Sequence, residues 1–399
     1  MRTPPMPVRR LRYPRSRKED RRLLITAAIL AIFIYGMIAA MLGTILPDLS
    51  DRFHLTPAQN GTIAFAQAVG LMIASIGVGP LLDAQGDKAG ILLGLGLILA
   101  ALLLLPRSRG YGSIVALLFL LGLGGGIADT GANALVSGLS PDHRAIALNL
   151  VNLFFGLGGL VTPFISANLF KRNWVRLCYT VALVTVGTGV IQILVKTPPQ
   201  VAGTGFVLTK AAPMLEQPLI LMLGLLLFLY VSCEVGVWNW LPRHLIAQGI
   251  PKSRALNMLS LGFALGLLLG RVAISPVLIR VPSIEVTLAA SAAMAVTTYL
   301  MLRTSKASTA AVLVFITGLA MAPVFPTTLA ITATAFPHMP GTAIGFVMTC
   351  GWAGLAVSSR IIGAIAGNDP LRIRKALLVL PAFSVLMVGL NVAIWEMMR

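Results

Sequence analysis

Between residues 22 and 397 the charged residues come in short clusters, and the stretches between them stay apolar for twenty residues or more. A run of that length crosses a hydrocarbon core of about 30 Å at 1.5 Å per residue. Lipid satisfies no backbone group, so each run must close its own hydrogen bonds as a helix. The sequence therefore predicts an all-α membrane protein of twelve transmembrane helices, over 22–46, 60–82, 89–107, 112–139, 145–170, 174–196, 218–241, 254–280, 284–303, 309–336, 341–366 and 374–397. The loop 197–217 cuts the chain nearly in half. The expected domains are a basic tail (1–21), an N-terminal six-helix bundle (22–196), a cytoplasmic linker (197–217) and a C-terminal six-helix bundle (218–399). Charged residues make up 11% of the chain, against about 25% in soluble domains, which excludes a soluble enzyme.

The formal net charge of +18 resembles that of a nucleic-acid binder, but its distribution does not. Nine of the 31 basic residues lie in the first 22 positions, and most of the rest dot short loops. Basic residues so placed meet lipid headgroups rather than forming one basic face. The tail sets a cytoplasmic N-terminus, and an even helix number brings the C-terminus to the same side of the cytoplasmic (inner) membrane. Cys178, Cys233 and Cys350 sit inside apolar runs without ligand spacing and read as buried packing residues. The chain has four histidines, and neither a metal-ligand spacing nor a nucleophile–base set. No metal, no enzymatic activity and no nucleic-acid partner are expected.

The chain also resembles itself. GLGGGIADTGANALVSGLSP from Gly122 can be laid on GLAMAPVFPTTLAITATAFP from Gly318, and Gly156–Leu160 on Gly351–Leu355. Offsets of 196 and 195 residues imply two related halves with a site at their interface. The loop GPLLDAQGDK, with Gly79, Asp83, Gly86 and Lys88, resembles the loop signature of the major facilitator superfamily, although Ala84 and Asp87 replace the usual basic residues. In that resemblance these four residues belong to a gating loop. Gly124–Ile165, Tyr230–Pro242 and the pair Gly270–Arg271 are similar to the fucose, glucose and galactose branch, in which an acidic residue and an Asn line the sugar cavity. Here those positions are Asp129 and Asn133. The branch's first-helix Asn-Asp pair is replaced by Leu42 and Gly43. The resemblance implies the major facilitator fold and a sugar–proton symporter.

Four ionisable residues fall at membrane depth: Asp129, Glu234, Arg271 and Arg360. Each costs several kcal/mol there and calls for a partner. Matched depth suggests the pairs Asp129–Arg271 and Glu234–Arg360, either as clamps between helices or as coupling groups. Asp129 or Glu234 would carry a coupling proton, and no other cofactor is expected. Asp129 and Asn133 share a helix face at i, i+4. With Gln67, Asn149, Asn152, Glu234, Trp238 and Asn239 they supply amides, carboxylates and an indole for a sugar. Trp238 reads equally as part of an interfacial aromatic belt. The expected partners are a small-molecule substrate and the bilayer, with the chain monomeric. The alternatives are an exporter of drugs or metabolites and an uncoupled uniporter.

Overall fold

A computed structural model describes residues 18–55, 57–170, 173–195, 213–366 and 372–398. Among these, twelve helical stretches are long and apolar enough to cross a membrane. The N-terminal half contains α1 (Lys18–Phe53), α2 (Pro57–Gln85), α3 (Asp87–Leu104), α4 (Tyr111–Leu139), α5 (Arg144–Asn168) and α6 (Trp174–Leu194). The C-terminal half opens with α7 (Pro218–Ala247). Its eighth span is composite: α8 (Lys252–Asn257), a π-helical stretch (Met258–Ala264) and α9 (Leu265–Ile274). Then come α10 (Ser283–Arg303), α11 (Ala307–Met321), α12 (Val324–Ala335), α13 (Pro340–Ala366), α14 (Ile373–Leu377) and α15 (Val379–Met398).

Three expected continuous helices are interrupted. The tenth breaks between Met321 and Val324, where Pro323 and Pro326 lack the N–H that would continue the ladder. Hydroxyls serve the carbonyls there: Thr327 Oγ1 donates to the Pro323 carbonyl and Thr328 Oγ1 to that of Val324, both at 2.7 Å. The twelfth restarts at Val379, just ahead of Pro381. The eighth carries seven π-helical residues that no apolar periodicity announces. Most of the expected linker, and the first 17 residues of the tail, lie outside the described residues.

The internal repeat reappears as repeated helix packing. A Cβ on Gly70 would meet the Phe119 carbonyl, and one on Gly266 the Phe315 carbonyl, a shift of 196 residues in both partners. Gly122 against Gln67 likewise corresponds to Gly318 against Phe263. Gly158 against Phe33 corresponds to Gly354 against Phe228, shifted by 196 and 195. In lipid no hydrophobic force draws helices together, so such backbone approaches carry much of the packing, and only glycine permits them. Cys178 and Cys233 are buried and Cys350 partly so, all as free thiols.

The halves meet most closely toward the end of the bundle where α1 begins, here termed the tail side. There α2 runs along α13: a Cβ on Gly79 would lie 2.7 Å from the Thr342 Cα, and one on Gly345 would strike the Ser75 carbonyl. Further up this seam Trp352 Nε1 donates to Ser75 Oγ at 3.1 Å. Along the opposite seam α5 meets α9 and α12, where Arg144 Nη1 donates to the Ala333 carbonyl at 2.9 Å and to Thr334 Oγ1 at 3.1 Å. Both seams lie on the tail side or at mid-depth.

Candidate functional site

Residues of six helices build the centre, three of them carrying its polar part. Asp129 on α4 is 2% exposed although it bears a carboxyl, and its Oδ1 accepts from Asn133 Nδ2 at 2.8 Å. One helical turn separates the two, so the i, i+4 spacing alone fixes this bond. Asn133 Oδ1 in turn accepts from Asn152 Nδ2 on α5 at 2.8 Å. The backbone carbonyl of Asn152 then receives Arg271 Nη1 from α9, across the interface between halves. Three residues earlier on α5, Asn149 Nδ2 donates to the Arg271 carbonyl and, at 3.1 Å, to Ser275 Oγ. The expected Asp129–Arg271 pair is thus a relay: the two side chains share no hydrogen bond, because two asparagines intervene.

These groups are deeply buried. Asn133 and Asn149 are fully inaccessible, and Asn152 and Arg271 only 4% and 6% exposed. Asp129 Oδ2, Asn149 Oδ1 and Arg271 Nε have no hydrogen-bond partner. Orphaned polar atoms at such depth are costly.

Above it, away from the tail side, lies an aromatic layer drawn from both halves. Tyr35 on α1 stacks on Phe155 of α5 with centroids 5.2 Å apart. It also meets Trp352 of α13 edge-on at 6.3 Å, and Trp352 lies 6.5 Å from Phe325 of α12. Sequence reasoning passed over all four. None stands out in its own apolar helix, where other aromatics such as Phe33, Phe154 and Phe346 lie close by, and Tyr35 and Trp352 are 317 positions apart in the sequence. Arg144, which bridges the halves, was likewise indistinguishable from other loop arginines.

The remaining expected residues are dispersed. Gln67 is 6% exposed and its Nε2 is turned to the Ile38 carbonyl at 3.5 Å, within its own half. Glu234 on α7 is partly exposed, while Trp238 and Asn239 one turn further are exposed, and Trp238 packs edge-on against Phe263 at 5.3 Å. The side chain of Arg360 lies outside the described residues, as does that of Asp83. Gly86 has φ 97°, which only glycine adopts freely, and so forms the turn between α2 and α3. Lys88 Nζ donates to the Ile193 and Val195 carbonyls at 2.9 and 2.7 Å, closing the end of α6. Among the described residues no group of His, Cys, Asp and Glu could hold a metal.

Twelve spans in two repeated halves, meeting on the tail side around a buried polar relay, define a membrane transporter. The chain belongs to the Major Facilitator Superfamily, whose family model matches residues 28–359. It is 30% identical over 148 residues to the 4-hydroxybenzoate transporter PcaK of Pseudomonas aeruginosa, a match covering 37% of this chain and 33% of that protein. It is 29% identical over 240 residues to the glucose/galactose transporter of Brucella abortus, covering 55% of this chain and 58% of that one. These matches span less than two thirds of either relative. The fold is similar to the crystal structure of the transporter FucP in its outward conformation, with TM-score 0.82, 17% identity, and 94% and 99% of the two chains covered.

Proposed function

We propose that this chain is a secondary transporter of the alternating-access type. It imports a sugar or related small hydroxylated metabolite across the cytoplasmic membrane, with both termini cytoplasmic and with proton coupling through Asp129 or Glu234. The observation that carries the reading is Asp129 itself: a carboxyl 2% exposed, with one oxygen held by Asn133 and the other without a partner, at the head of a relay reaching the other half. A proton or a sugar hydroxyl can engage that oxygen. Trp352 and Phe155 offer an apolar plate for sugar C–H faces, and Gln67, Glu234, Trp238 and Asn239 offer further contacts once the helices move. The similarity to a glucose/galactose transporter agrees with this substrate class.

A second reading is an aromatic acid, favoured by the four-ring layer and by the similarity to a 4-hydroxybenzoate transporter. Arg271, the one buried arginine or lysine among the described residues, has Nη1 on the Asn152 carbonyl and Nε without a partner, which leaves a single donor for a carboxylate. Proteoliposome uptake of a hexose panel and of 4-hydroxybenzoate, with and without an inward proton gradient, separates the two. Gradient-driven accumulation of a hexose is expected. Asp129→Asn should abolish accumulation and leave counterflow exchange. Undiminished accumulation in that variant would remove the coupling role from Asp129. Resistance of cells to toxic amphiphiles without uptake of any hexose would instead favour an exporter.

A further inference from the structure

The two seams between the halves are related by the internal repeat but are sealed by different chemistry. Gly345 of α13 approaches the Ser75 carbonyl of α2. Subtracting 196 from Gly345 gives Asn149, and adding 196 to Ser75 gives Arg271. Asn149 donates to the Arg271 carbonyl. The same place in the repeat is therefore a bare backbone contact on one seam and a side-chain hydrogen bond on the other. Gly79 and Ser275 are likewise 196 apart, and Ser275 Oγ is the second acceptor of Asn149.

The polar seam is reciprocal. Asn149 of the N-terminal half donates to the backbone of Arg271, and Arg271 of the C-terminal half donates to the backbone of Asn152. Both acceptors are main-chain carbonyls, which stay in place whatever residue stands there. The donors are the removable part. On the N-terminal side the clasp is anchored to Asp129, because Asn152 also holds Asn133 and Asn133 holds Asp129. On the glycine seam Trp352 donates to Ser75, which also accepts from Thr130 of α4 at 3.4 Å, and Thr349 Oγ1 donates to the Met72 carbonyl at 3.5 Å, but none of these side chains is titratable.

We propose that Asn149 and Arg271 form a reciprocal clasp that keeps the tail side closed, and that Asn133 and Asn152 tie its strength to the charge on Asp129. Asn149 and Asn152 are then positioning residues that gate the cycle rather than ligands of the substrate. The proposal rests on the alternating-access reading. With Asp129 ionised, Asn133 is held and presents its carbonyl to Asn152, and the turn of α5 carrying the Asn152 carbonyl is fixed for Arg271. Neutralising Asp129 weakens the first bond of the chain, and a charged acceptor holds a donor roughly twice as strongly as a neutral one. It also removes an opposite charge from the neighbourhood of Arg271. The glycine seam, having no titratable member among the described residues, acts as a passive fulcrum.

The test reads the two ends of the bundle without any substrate. Spin labels are placed on exposed positions in loops and at helix ends of the full chain in lipid nanodiscs, with the three native cysteines replaced by alanine. Asp142→Cys with His338→Cys reports the tail side, and Asp51→Cys with Ala247→Cys the opposite end, all four being exposed. Asn149→Ala should raise the long-distance population on the tail side about tenfold, the worth of one to two buried hydrogen bonds. It should shorten distances at the opposite end at the same time. Asp129→Asn should move both pairs in the same directions, and that response should vanish when Asn152→Ala is added. Unchanged distances in Asn149→Ala overturn the clasp. Lengthening at both ends, the sign of a merely loosened bundle, overturns it equally. An Asp129→Asn response that survives Asn152→Ala overturns the relay. Because no substrate is used, failure of hexose uptake would sink the proposed function while leaving this measurement intact.

Discussion

Gly79→Ala is the substitution whose effect the structure defines most narrowly. The new methyl would lie 2.7 Å from the Cα of Thr342 and 2.8 Å from the carbonyl oxygen of Gly341. Both are backbone atoms, so no side chain can rotate away. Ordinary contact begins near 3.4 Å, so α2 and α13 must part by roughly 0.7 Å there. Overpacking of this kind costs about 1–3 kcal/mol. At 1.4 kcal/mol per tenfold, that is a shift of roughly 5- to 150-fold in an equilibrium. The contact crosses between halves, so only a state closed on the tail side bears the cost. Gly124→Ala is the matched control, since its methyl would lie 2.7 Å from the Gly94 carbonyl oxygen and 2.8 Å from the Ile98 nitrogen, inside one half. It should lower the melting temperature without favouring either conformation. Melting curves and tail-side spin-label distances on both variants decide the matter. Equal loss of thermal stability with unchanged distances in both would refute the idea that this seam belongs to one conformational state.

Substitutions at two further positions address the site and its periphery. Trp352→Ala removes the ring that meets Tyr35 and Phe325 and should weaken substrate binding roughly tenfold, whereas Trp352→Phe, which loses only the bond to Ser75, should cost about 1 kcal/mol in unfolding free energy and keep most of the affinity; equal affinities for both variants would exclude the aromatic plate. His244 lies beyond the apolar stretch Pro218–Pro242, and burial, aided by the nearby Arg374, lowers its pKa to about 4. The folded state then binds fewer protons than the unfolded one between about pH 6.5 and 4. Its contribution is complete above pH 6.5 and falls by up to about 3 kcal/mol as the pH drops to 4. Melting temperature measured against pH should show that slope in the parent and lose it in His244→Gln.

The candidate site divides between what one helix can encode and what several must assemble. The Asp129–Asn133 bond was legible because one turn of helix joins them. Gly122 and Gly158 lie bare-backed against facing helices, a role that a helix-borne glycine can take wherever two helices touch. Asn149 and Asn152 were recognised as polar residues at depth, but their roles were not: nothing in their own sequence neighbourhood indicates that Arg271 lies opposite. The aromatic layer had no signal at all, because Tyr35, Phe155, Phe325 and Trp352 are spread over four helices. The breaks at Met321–Val324 and before Val379 follow prolines that were visible. The π-helical stretch Met258–Ala264 follows nothing that a period of 3.6 residues can register.

By itself, then, the sequence determined the number of spans, their helical character and the division into two related halves. Hydropathy and backbone hydrogen bonding in lipid are local demands, met or failed within twenty residues. Which end of the bundle is closed, and by what, was decided by the tertiary structure alone. Asn149 and Arg271 are 122 positions apart, and Gly79 and Thr342 are 263. Only the packing of one half against the other brings such residues within bonding distance, so their chemistry belongs to the interface and not to any segment of the chain.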